Sequence, residues 1–494
     1  MFDSAFDCVV LDGMVVTAAD VGRYDIAIKD GKIALLAPAR SLVTVKATRV
    51  IDAQGAYVMA GQQMTLVPVK TVNLECMSLD LISRLFVGSR SAIAGGTTTI
   101  IAFAPQDRSD PSLLNALDEA QQKAQDAAYC DYSLHLLISN PTEQALEEFA
   151  VLRERGVSSI KIYMTYEVLQ LRDNQILDVL LQARKDLITT MIHAENGDML
   201  TWMTEQLERR RLFAPKYHAT SRPQILESEA TNRAIALSQI VETPILIVHV
   251  SSPLAANNIR TAQTSGLPVF AETCPQYLFL TRKGLDQPGF EGAKCVCSPP
   301  PRDGEADLES IWRGIENGTF TILSSDHCPF IYDDNVDGKK SAISEDAPLG
   351  RFRYIPNGCP GVETRLALVL SADRLSPQKF VEVTSTNPAK LYGLYPQKGA
   401  LIPGLSDADL TIWYPPSSLE PFPVTNSALH HNVDYTPYEG QIVSNWPRYT
   451  LVRGEVVWDR DNGGVVGRKG YGEFIKRGPS AFCREQPEWD VEKF

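Results

Sequence analysis

Four side chains that could serve in metal-dependent or acid–base chemistry lie in or directly after apolar segments. Lys161 lies in SIKIYMTYE, His193 ends TTMIH, His249 follows PILIV, and Asp326 follows TILSS. Imidazole nitrogens and carboxylate oxygens bind zinc, and both groups also transfer protons. An ammonium inside an apolar strand is costly, so Lys161 must be paired, deprotonated or modified.

Each of these residues also has a purely structural explanation when it is taken alone. A single histidine at a strand end often serves only as a hydrogen-bonding residue, and Asp326 could cap the helix that follows it. Four such residues after successive apolar segments favour one shared site over four separate explanations.

The elements that must position these residues are apolar strands that alternate with amphipathic helices over residues 61–395. The predicted strands are 62–67, 97–104, 132–139, 159–164, 189–194, 244–250, 267–273 and 321–326. Eight near-continuous apolar strands alternating with helices predict an α/β fold, a parallel (βα)8 TIM-like barrel, whose active site lies at the C-terminal ends of the strands. A doubly wound open sheet is the alternative, and the lack of GxGxxG after the first strand disfavours it.

The two ends of the chain share a pattern of short alternating strands that the middle lacks. Residues 7–52 and 407–458 show it, and the dipeptides Asp12-Gly13, Asp30-Gly31 and Arg453-Gly454 are typical of hairpin turns. We therefore predict a small β-sandwich domain built from residues 1–60 and 396–470. Residues 471–494 are predicted to form a C-terminal tail.

Composition excludes several classes of protein. The chain has 494 residues, of which 44% are hydrophobic and 22% charged, as in an ordinary globular protein. The formal net charge of −13 disfavours nucleic acid and anionic membranes as partners. No apolar run is long enough to span a membrane, and no basic segment followed by an apolar stretch opens the chain. The nine scattered cysteines are typical of reduced thiols, so we expect a cytoplasmic protein. We expect its partner to be a small-molecule substrate.

Ordered motifs along nearly the whole chain resemble those of one enzyme family. The sequence resembles the dihydropyrimidinase/hydantoinase branch of the amidohydrolase superfamily, whose members are cyclic amidases. The matching stretches are RVIDAQGAYVMAG, AGGTTTIIAFA, IKIYMTYE, HAENGDML, YHATSRPQILESEATNRAI, ILIVHVSS, AETCPQYLFL, CSPPPR, SSDHCPF, NPAKLYGLYPQKGALIPGLSDADLTIW and VDYTPYEG.

This resemblance implies a metal-dependent βα barrel flanked by a small β-sandwich, and it implies roles for the metal-site residues. Lys161 matches a lysine whose amine is carboxylated and bridges two zinc ions. His193 and His249 match the histidines that bind the second, more buried zinc. Asp326 matches the aspartate that binds the first zinc and serves as general base and acid.

The resemblance also implies substrate contacts and an assembly. Tyr166 matches a tyrosine that polarises the substrate carbonyl, and Ser298 matches a residue whose backbone holds the cyclic amide. Family members are commonly tetramers, so a homo-oligomer, dimer or tetramer, is expected.

The sequence departs from the family pattern at two places. The family stretch PGGIDPHTHL carries two histidines that bind the first zinc, and the residues at those positions here are Leu66 and Pro68. Neither side chain has a lone pair to donate, so the usual first-zinc site cannot form. A second departure is assigned to Pro360, at a position expected to be asparagine in hydantoinases. Leu66, Pro68 and Pro360 are therefore treated as candidate substrate contacts in a changed pocket.

Three interpretations of this half-emptied site stay open. In the first, the chain keeps one zinc on Lys161, His193 and His249, and it opens or closes a cyclic amide with Asp326 and Tyr166 as catalytic residues. In the second, the protein binds no metal and is a non-catalytic relative with an interaction role. In the third, the site performs a different, non-hydrolytic reaction.

Overall fold

A computed structural model of the protein describes residues 5–66 and 81–493. The strands, in chain order, are β1 (Phe6–Val16), β2 (Val21–Lys29), β3 (Lys32–Pro38), β4 (Ala47–Asp52), β5 (Tyr57–Ala60), β6 (Gln62–Leu66), β7 (Thr97–Pro105), β8 (Asp131–Leu137), β9 (Ser159–Tyr163), β10 (Thr189–His193), β11 (Ile245–Ile247), β12 (Val269–Thr273), β13 (Ile322–Leu323), β14 (Leu410–Trp413), β15 (Phe422–Pro423), β16 (Ile442–Val443), β17 (Pro447–Val452), β18 (Glu455–Asp459) and β19 (Gly464–Val465).

The α-helices of the described residues lie mostly between the strands of the middle region. They are α1 (Leu81–Ala94), α2 (Leu113–Ala124), α3 (Glu143–Glu147), α4 (Phe149–Glu154), α5 (Asp173–Lys185), α6 (Gly197–Arg209), α7 (Tyr217–Ser221), α8 (Gln224–Ile240), α9 (Pro253–Thr264), α10 (Gln276–Phe279), α11 (Glu305–Glu316), α12 (Arg365–Ser371), α13 (Pro377–Val381) and α14 (Asn387–Leu391). None of the helices described is long and apolar enough to cross a membrane.

Strands β6 to β13 form one eight-stranded parallel sheet in sequential order. This sheet, with helices between its strands, confirms the predicted βα barrel. Two strands are much shorter than predicted. Strand β11 ends at Ile247, and β13 ends at Leu323. His249 and Asp326 therefore lie two and three residues beyond their strands, in the segments that form the mouth of the barrel.

The side chain of Arg365 bridges the first and last strands of this sheet. Its guanidinium donates hydrogen bonds to the backbone carbonyl of Leu323 on β13 (2.7 Å) and to that of Gln63 on β6 (3.4 Å). It also donates to the hydroxyl of Thr97 on β7 (3.2 Å). Arg365 is completely buried. A side chain thus joins the two ends of the sheet, where the described residues form no backbone ladder.

Helix packing around the sheet follows from amphipathic spacing, as α2 shows. Leu113, Leu117, Ala120 and Ala124 are buried at three- and four-residue intervals, so they form one face toward the strands. The helix begins after Ser112, whose hydroxyl accepts hydrogen bonds from backbone amides of the first turn. Burial of such faces against β7 and β8 contributes to the largest hydrophobic core of the protein.

The strands near the two termini join in a second, nine-stranded mixed sheet. Its order is β19-β18-β17-β14-β5-β1-β2-β3, with β4 also paired to β1. A β domain built from both termini, as predicted, is therefore present, while the boundaries at residues 60 and 396 stay a prediction.

Two of the three predicted hairpin turns are confirmed, and the third is wrong. Asp30-Gly31 joins β2 to β3, and Arg453-Gly454 joins β17 to β18. Strand β1 instead runs through Asp12-Gly13 with a shift in register, and Asp12 has a φ of 55°. The Asp12 amide donates to the Asp25 carboxylate (2.7 Å), which anchors this irregularity inside the strand rather than at its end.

The predicted C-terminal tail packs against the barrel rather than extending into solvent. The backbone of residues 473–475 pairs with Tyr132 at the start of β8. Arg477 is buried and donates to the hydroxyls of Ser133 (2.8 Å) and Ser159 (2.7 Å). The tail therefore covers the N-terminal end of the barrel, opposite the strand ends that form its mouth.

One buried lysine links the parallel sheet to the terminal sheet. The Lys398 ammonium contacts the carboxylates of Asp131 (2.6 Å), Asp409 (2.8 Å) and Asp407 (3.1 Å). Asp131 opens β8, whereas Asp409 immediately precedes β14. All four side chains are nearly inaccessible to water, and Lys398 is the cation that the three carboxylates share. Arg453 also pairs with Asp131, and Lys32 with Asp407.

Substituting this lysine should therefore destabilise the protein strongly. The variant Lys398→Met leaves buried carboxylates without their central cation, and we expect a loss of about 3–5 kcal/mol in the free energy of unfolding. Urea titration followed by circular dichroism measures it. Lys123→Met is the matched control, because the Lys123–Glu119 ion pair is exposed and should contribute less than about 1 kcal/mol. Equal losses in the two variants would contradict the role of Lys398.

Candidate active site

A small cavity of about 30 Å³, here called the inner cavity, lies at the mouth of the barrel. It brings together Lys161, His193, His249, Asp326, Tyr166 and Ser298, which belong to five different segments of the chain. Its lining residues are Lys161, Tyr163, Tyr166, His193, His249, Ser298, Asp326, Cys328, Asn357 and Gly358. Six residues proposed from the sequence thus share one enclosure, large enough for about one water molecule or ion.

Three of these residues have left-handed backbone conformations. The φ angles are 66° at Tyr166, 40° at His249 and 48° at Asp326. Such angles are uncommon for residues other than glycine, and they concentrate at functional sites where surrounding contacts enforce them. Here each angle occurs two or three residues after a barrel strand, where the chain must turn and direct a side chain into the cavity.

The two histidines face each other, and one of them has a defined tautomer. His193 Nδ1 lies 3.0 Å from His249 Nε2, and His193 Nε2 lies 2.7 Å from the Glu195 carboxylate. Burial raises the pKa of the Glu195 carboxyl, but the charge of Arg222 and the bond to His193 hold it well below its usual range. An ionised carboxylate only accepts hydrogen bonds, so His193 Nε2 carries the proton and Nδ1 presents a lone pair toward His249.

Burial also keeps both imidazoles neutral. Burial lowers the pKa of His193, although the hydrogen bond to Glu195 raises it in part. Burial lowers the pKa of His249 by more. Neutral imidazole is the form that binds metals. Glu195 was not identified from the sequence, although its position two residues after His193 could have indicated it.

Lys161 is buried in the cavity without an ion pair. No carboxylate oxygen of the described residues lies within 4.0 Å of its ammonium, which lies 5.0 Å from the ring centre of Phe103 and 5.1 Å from that of Tyr163. Burial lowers the pKa of Lys161, while the more distant charges of Asp326 and Glu272 raise it. A buried amine of this kind is prone to lose its proton or to be modified.

Two buried carboxyl groups lie near this lysine. Burial raises the pKa of Asp326, and the charge of Lys161 opposes that shift. Burial likewise raises the pKa of Glu272, on β12, to about 7. Glu272 accepts a hydrogen bond from the backbone amide of His249 (3.3 Å), so it also holds the turn that carries this histidine.

The donor set fits a metal ion at the two histidines. Two nitrogens bound to one tetrahedral zinc at 2.0–2.1 Å are roughly 3.3 Å apart, close to the 3.0 Å between His193 Nδ1 and His249 Nε2. The Glu195 contact to the other His193 nitrogen is the usual support of a metal-binding histidine. Among the described residues no three His, Cys, Asp or Glu side chains are grouped for a metal, so this fit rests on the pair His193 and His249.

Leu66 and Pro360 are the two departures from the family pattern that lie within the described residues. Leu66 is the last residue of β6, where its backbone pairs with Ala102 of β7. Pro68 lies outside the described residues. Pro360 is buried, but it is not among the residues that line the described cavities.

Asn357, three residues before Pro360, is a cavity residue that the sequence analysis missed. It lines the inner cavity, and its side-chain oxygen is buried without a hydrogen-bond partner in the described part of the chain. The stretch IPNGCPGVETRL contains it, three residues before the position assigned as a departure. Gly358 follows it, where a β-carbon would lie 2.3 Å from the carbonyl oxygen of Cys328, so a side chain there would displace this segment.

A larger cavity of about 690 Å³, here called the outer cavity, opens next to the inner one. Tyr166 and Asn357 line both cavities. The outer cavity carries mixed charge, with Arg108 and Arg172 beside Glu167 and Asp198. A molecule whose reacting group enters the inner cavity therefore has room for a sizeable substituent outside it.

His218 supports the segment that carries Ser298. Its Nε2 donates a hydrogen bond to the carbonyl of Cys297 (2.8 Å), and the ring is buried. Burial, aided by the positive charge of Arg222, lowers the pKa of His218 to about 3. The imidazole is therefore neutral in the folded protein down to strongly acidic pH.

Comparisons with known proteins reveal similarity over nearly the whole chain. A family model described as "Amidohydrolase family" matches residues 83–457. The chain is 38% identical over 475 residues to a D-hydantoinase of Ralstonia pickettii, which covers 95% of this chain and 99% of that protein. It is 34% identical to the solved structure of a dihydropyrimidinase from Brevibacillus agri NCHU1002, with a TM-score of 0.87 and coverage of 95% and 98%. A solved D-hydantoinase structure is 37% identical, with a TM-score of 0.88 and coverage of 96% and 100%.

The buried His218 predicts a specific pH dependence of stability. As pH falls below the reference value of 6.5, the unfolded chain binds a proton at this residue and the folded protein does not, so stability decreases toward acid. At pH 5 this costs about 2 kcal/mol relative to pH 8. His218→Gln keeps an N–H donor for the Cys297 carbonyl without titrating. Urea unfolding measures the free energy of unfolding at pH 5 and pH 8. From pH 8 to pH 5 it should fall by about 2 kcal/mol more in wild type than in His218→Gln, and an equal fall in both proteins would contradict the assignment.

Proposed function

The chain belongs to the amidohydrolase family, in the hydantoinase and dihydropyrimidinase branch, and on that premise we propose that it hydrolyses a cyclic amide or imide. The same chemistry run backward closes such a ring. The observation that carries the proposal is the convergence of Lys161, two histidines, Asp326 and Tyr166 on one cavity.

Members of this family generally use a metal, and we propose one zinc ion per chain. His193 Nδ1, His249 Nε2 and the carboxylated amine of Lys161 would hold it. When bound, zinc lowers the pKa of a water molecule toward about 7 and polarises a carbonyl group. Among the described residues the buried amine of Lys161 has no ion pair, which supports this proposal, because its carboxylation converts a costly ammonium into an anionic ligand.

Asp326 would move the proton during hydrolysis. Its carboxylate would accept a proton from the attacking water and later deliver it to the ring nitrogen as the C–N bond breaks. The raised pKa of Asp326, caused by burial, brings the group closer to neutral pH, where a single carboxyl group can both accept and return a proton. Loss of the histidines at positions 66 and 68 leaves this carboxylate without its usual first-zinc partner.

Tyr166, Ser298 and Asn357 would hold the ring. The Tyr166 hydroxyl would donate to the carbonyl oxygen that gains negative charge, while burial, more than offsetting the nearby charge of Arg222, raises its pKa to about 12 and keeps it protonated. The backbone of Ser298 and the unpartnered oxygen of Asn357 would bind the ring amide. A ring substituent would extend into the outer cavity.

One observation favours a second candidate function, that of a metal-free relative without catalytic activity. Asp326 and Glu272 both favour the charged form of Lys161, and two aromatic rings lie about 5 Å from its ammonium. An unmodified ammonium at this position would repel zinc. Metal content distinguishes the two candidates directly.

We further propose a cytoplasmic homo-oligomer, a dimer or tetramer, as expected from the family. The cysteines that the structure describes are free thiols, which supports a reducing compartment.

The single-zinc proposal predicts the zinc content of the wild-type protein and the behaviour of two variants. Protein produced with zinc and bicarbonate should contain about one zinc per chain. His249→Ala should lose zinc and all turnover of hydantoin or dihydrouracil, whereas Asp326→Ala should keep zinc and lose turnover by at least about 100-fold. Elemental mass spectrometry and absorbance of the ring amide measure the two properties. Wild-type protein without zinc would favour the metal-free candidate, and an active Asp326→Ala variant would refute the assigned proton transfer.

Restoring the missing histidines tests the lost half of the site. The double variant Leu66→His with Pro68→His should bind about two zinc ions per chain, because each added imidazole supplies a ligand of the kind that binds the family's first zinc. Leu66→His alone is the control and should remain at about one zinc. Zinc content that is the same in the double variant and in wild type would show that more than these two residues separates this chain from two-zinc relatives.

A further inference from the structure

Arg222 lies between two groups of the candidate active site that act on different sides of the substrate. It directly follows α7 and precedes Pro223. Its Nη1 donates to the Glu195 carboxylate (2.5 Å), and its Nη2 donates to the Tyr166 hydroxyl oxygen (3.5 Å). The guanidinium carbon lies 5.4 Å from the centre of the Tyr166 ring. One planar cation therefore contacts both the carboxylate behind His193 and the tyrosine at the cavity mouth.

The contact to Glu195 holds the carboxylate against which the His193 imidazole rests. Arg222 Nη1 and His193 Nε2 approach the same Glu195 carboxylate oxygen, at 2.5 Å and 2.7 Å. His193 Nδ1, on the other side of the ring, is thereby directed at His249. Without the guanidinium, Glu195 would lose the contact that fixes it, and the imidazole would lose the support that sets its orientation.

The contact to Tyr166 determines which way the hydroxyl proton points. A guanidinium has only donors, so the Tyr166 oxygen must act as acceptor toward Arg222. The proton of that hydroxyl is then free to point away from Arg222, toward the inner cavity that the tyrosine also lines. A carbonyl oxygen bound there would meet a donor rather than a lone pair.

Arg222 is itself held from behind by a second buried ion pair. Arg302 donates to the backbone carbonyl of Arg222 (2.6 Å) and pairs with Glu227 (2.5 Å). Arg222 and Glu195 are 5% and 0% exposed. Buried ion pairs contribute little net stability, because removing two charges from water costs about as much as their attraction returns. Such a pair beside reacting groups therefore calls for an explanation other than stability.

We infer that Arg222 is a positioning residue that sets, through one guanidinium, both the orientation of the His193 imidazole and the direction of the Tyr166 hydroxyl proton. The inference rests on the proposed function, because it assigns to these two groups the roles of metal ligand and carbonyl donor. It adds that the two roles depend on a common residue that touches neither the metal nor the reacting carbonyl.

Three variants of Arg222 test this inference. Arg222→Met should lower zinc affinity by about 10- to 100-fold, as loss of outer-shell support of a metal-binding histidine does. It should also lower kcat while changing KM by less than about threefold, since the lost contacts orient groups that act in the transition state. Arg222→Lys should lie between wild type and Arg222→Met, because a single ammonium reaches one partner but not both. Added guanidinium should restore part of the activity of Arg222→Ala and none of any other variant.

Two controls separate positioning from general damage. Arg477→Lys changes a buried arginine at the opposite end of the barrel, so it should leave zinc affinity and kcat unchanged. In a Tyr166→Phe background, Arg222→Met should reduce kcat by a smaller factor than in wild type, because one of its two partners is already lost. Circular dichroism and the unfolding midpoint establish that each variant is folded.

The outcomes distinguish this inference from the proposed function. Zinc affinity and kcat that stay within about twofold of wild type in a folded Arg222→Met variant would overturn the inference. The inference would also be overturned if the effects of Tyr166→Phe and Arg222→Met on kcat were fully additive and added guanidinium did not restore activity to Arg222→Ala. A wild-type protein that binds zinc but hydrolyses no cyclic amide would refute the proposed function instead, and zinc affinity alone would then decide the role of Arg222.

Discussion

Arg365 joins the carbonyl oxygens of Gln63 and Leu323, at the first and last strands of the parallel sheet. Burial lowers the pKa of its guanidinium to about 10, which still leaves it charged at neutral pH. Because all eight strands run parallel, drawing the two edges together directs every strand's C-terminal end to the same mouth. The candidate active site depends on this constraint, since Asp326 follows the last strand whereas Lys161, His193 and His249 follow or occupy strands in the middle of the sheet.

Several buried charged groups of the protein contact carboxylates. Lys398 is surrounded by three aspartates, and Arg222 and Arg302 each contact a glutamate. Among the described residues, Lys161 has two aromatic rings about 5 Å away and carboxyl groups farther off. Strongly perturbed groups without a structural partner concentrate at functional sites. This contrast identifies Lys161 as the cavity residue whose protonation or carboxylation is not determined by its neighbours in the fold.

The preserved and the altered halves of the site have different consequences. In the proposed assignment, Leu66 and Pro68 stand at the positions of the family's first-zinc ligands, and Asp326 would act as a proton carrier without a metal partner. The other half keeps both histidines together with the Glu195–Arg222 support that orients one of them. A fixed tautomer matters to a bound cation or to a proton transfer and adds nothing to packing. The retained support therefore favours a working site over a purely structural remnant.

Much of this site could be predicted from the sequence, because strand periodicity and side-chain type are local properties. Eight apolar segments, and the polar residues at their ends, indicated the barrel and placed Lys161, His193, His249 and Asp326 at one mouth. Local pattern failed at Asp12-Gly13, which reads as a turn but lies inside β1, because the Asp25 carboxylate from the next strand anchors it there. It also did not identify Asn357, since only the folded chain shows that this residue lines the cavity. The contacts of Arg222, Glu195 and Arg365 were decided by tertiary structure alone, because each joins segments that meet only once the barrel has closed.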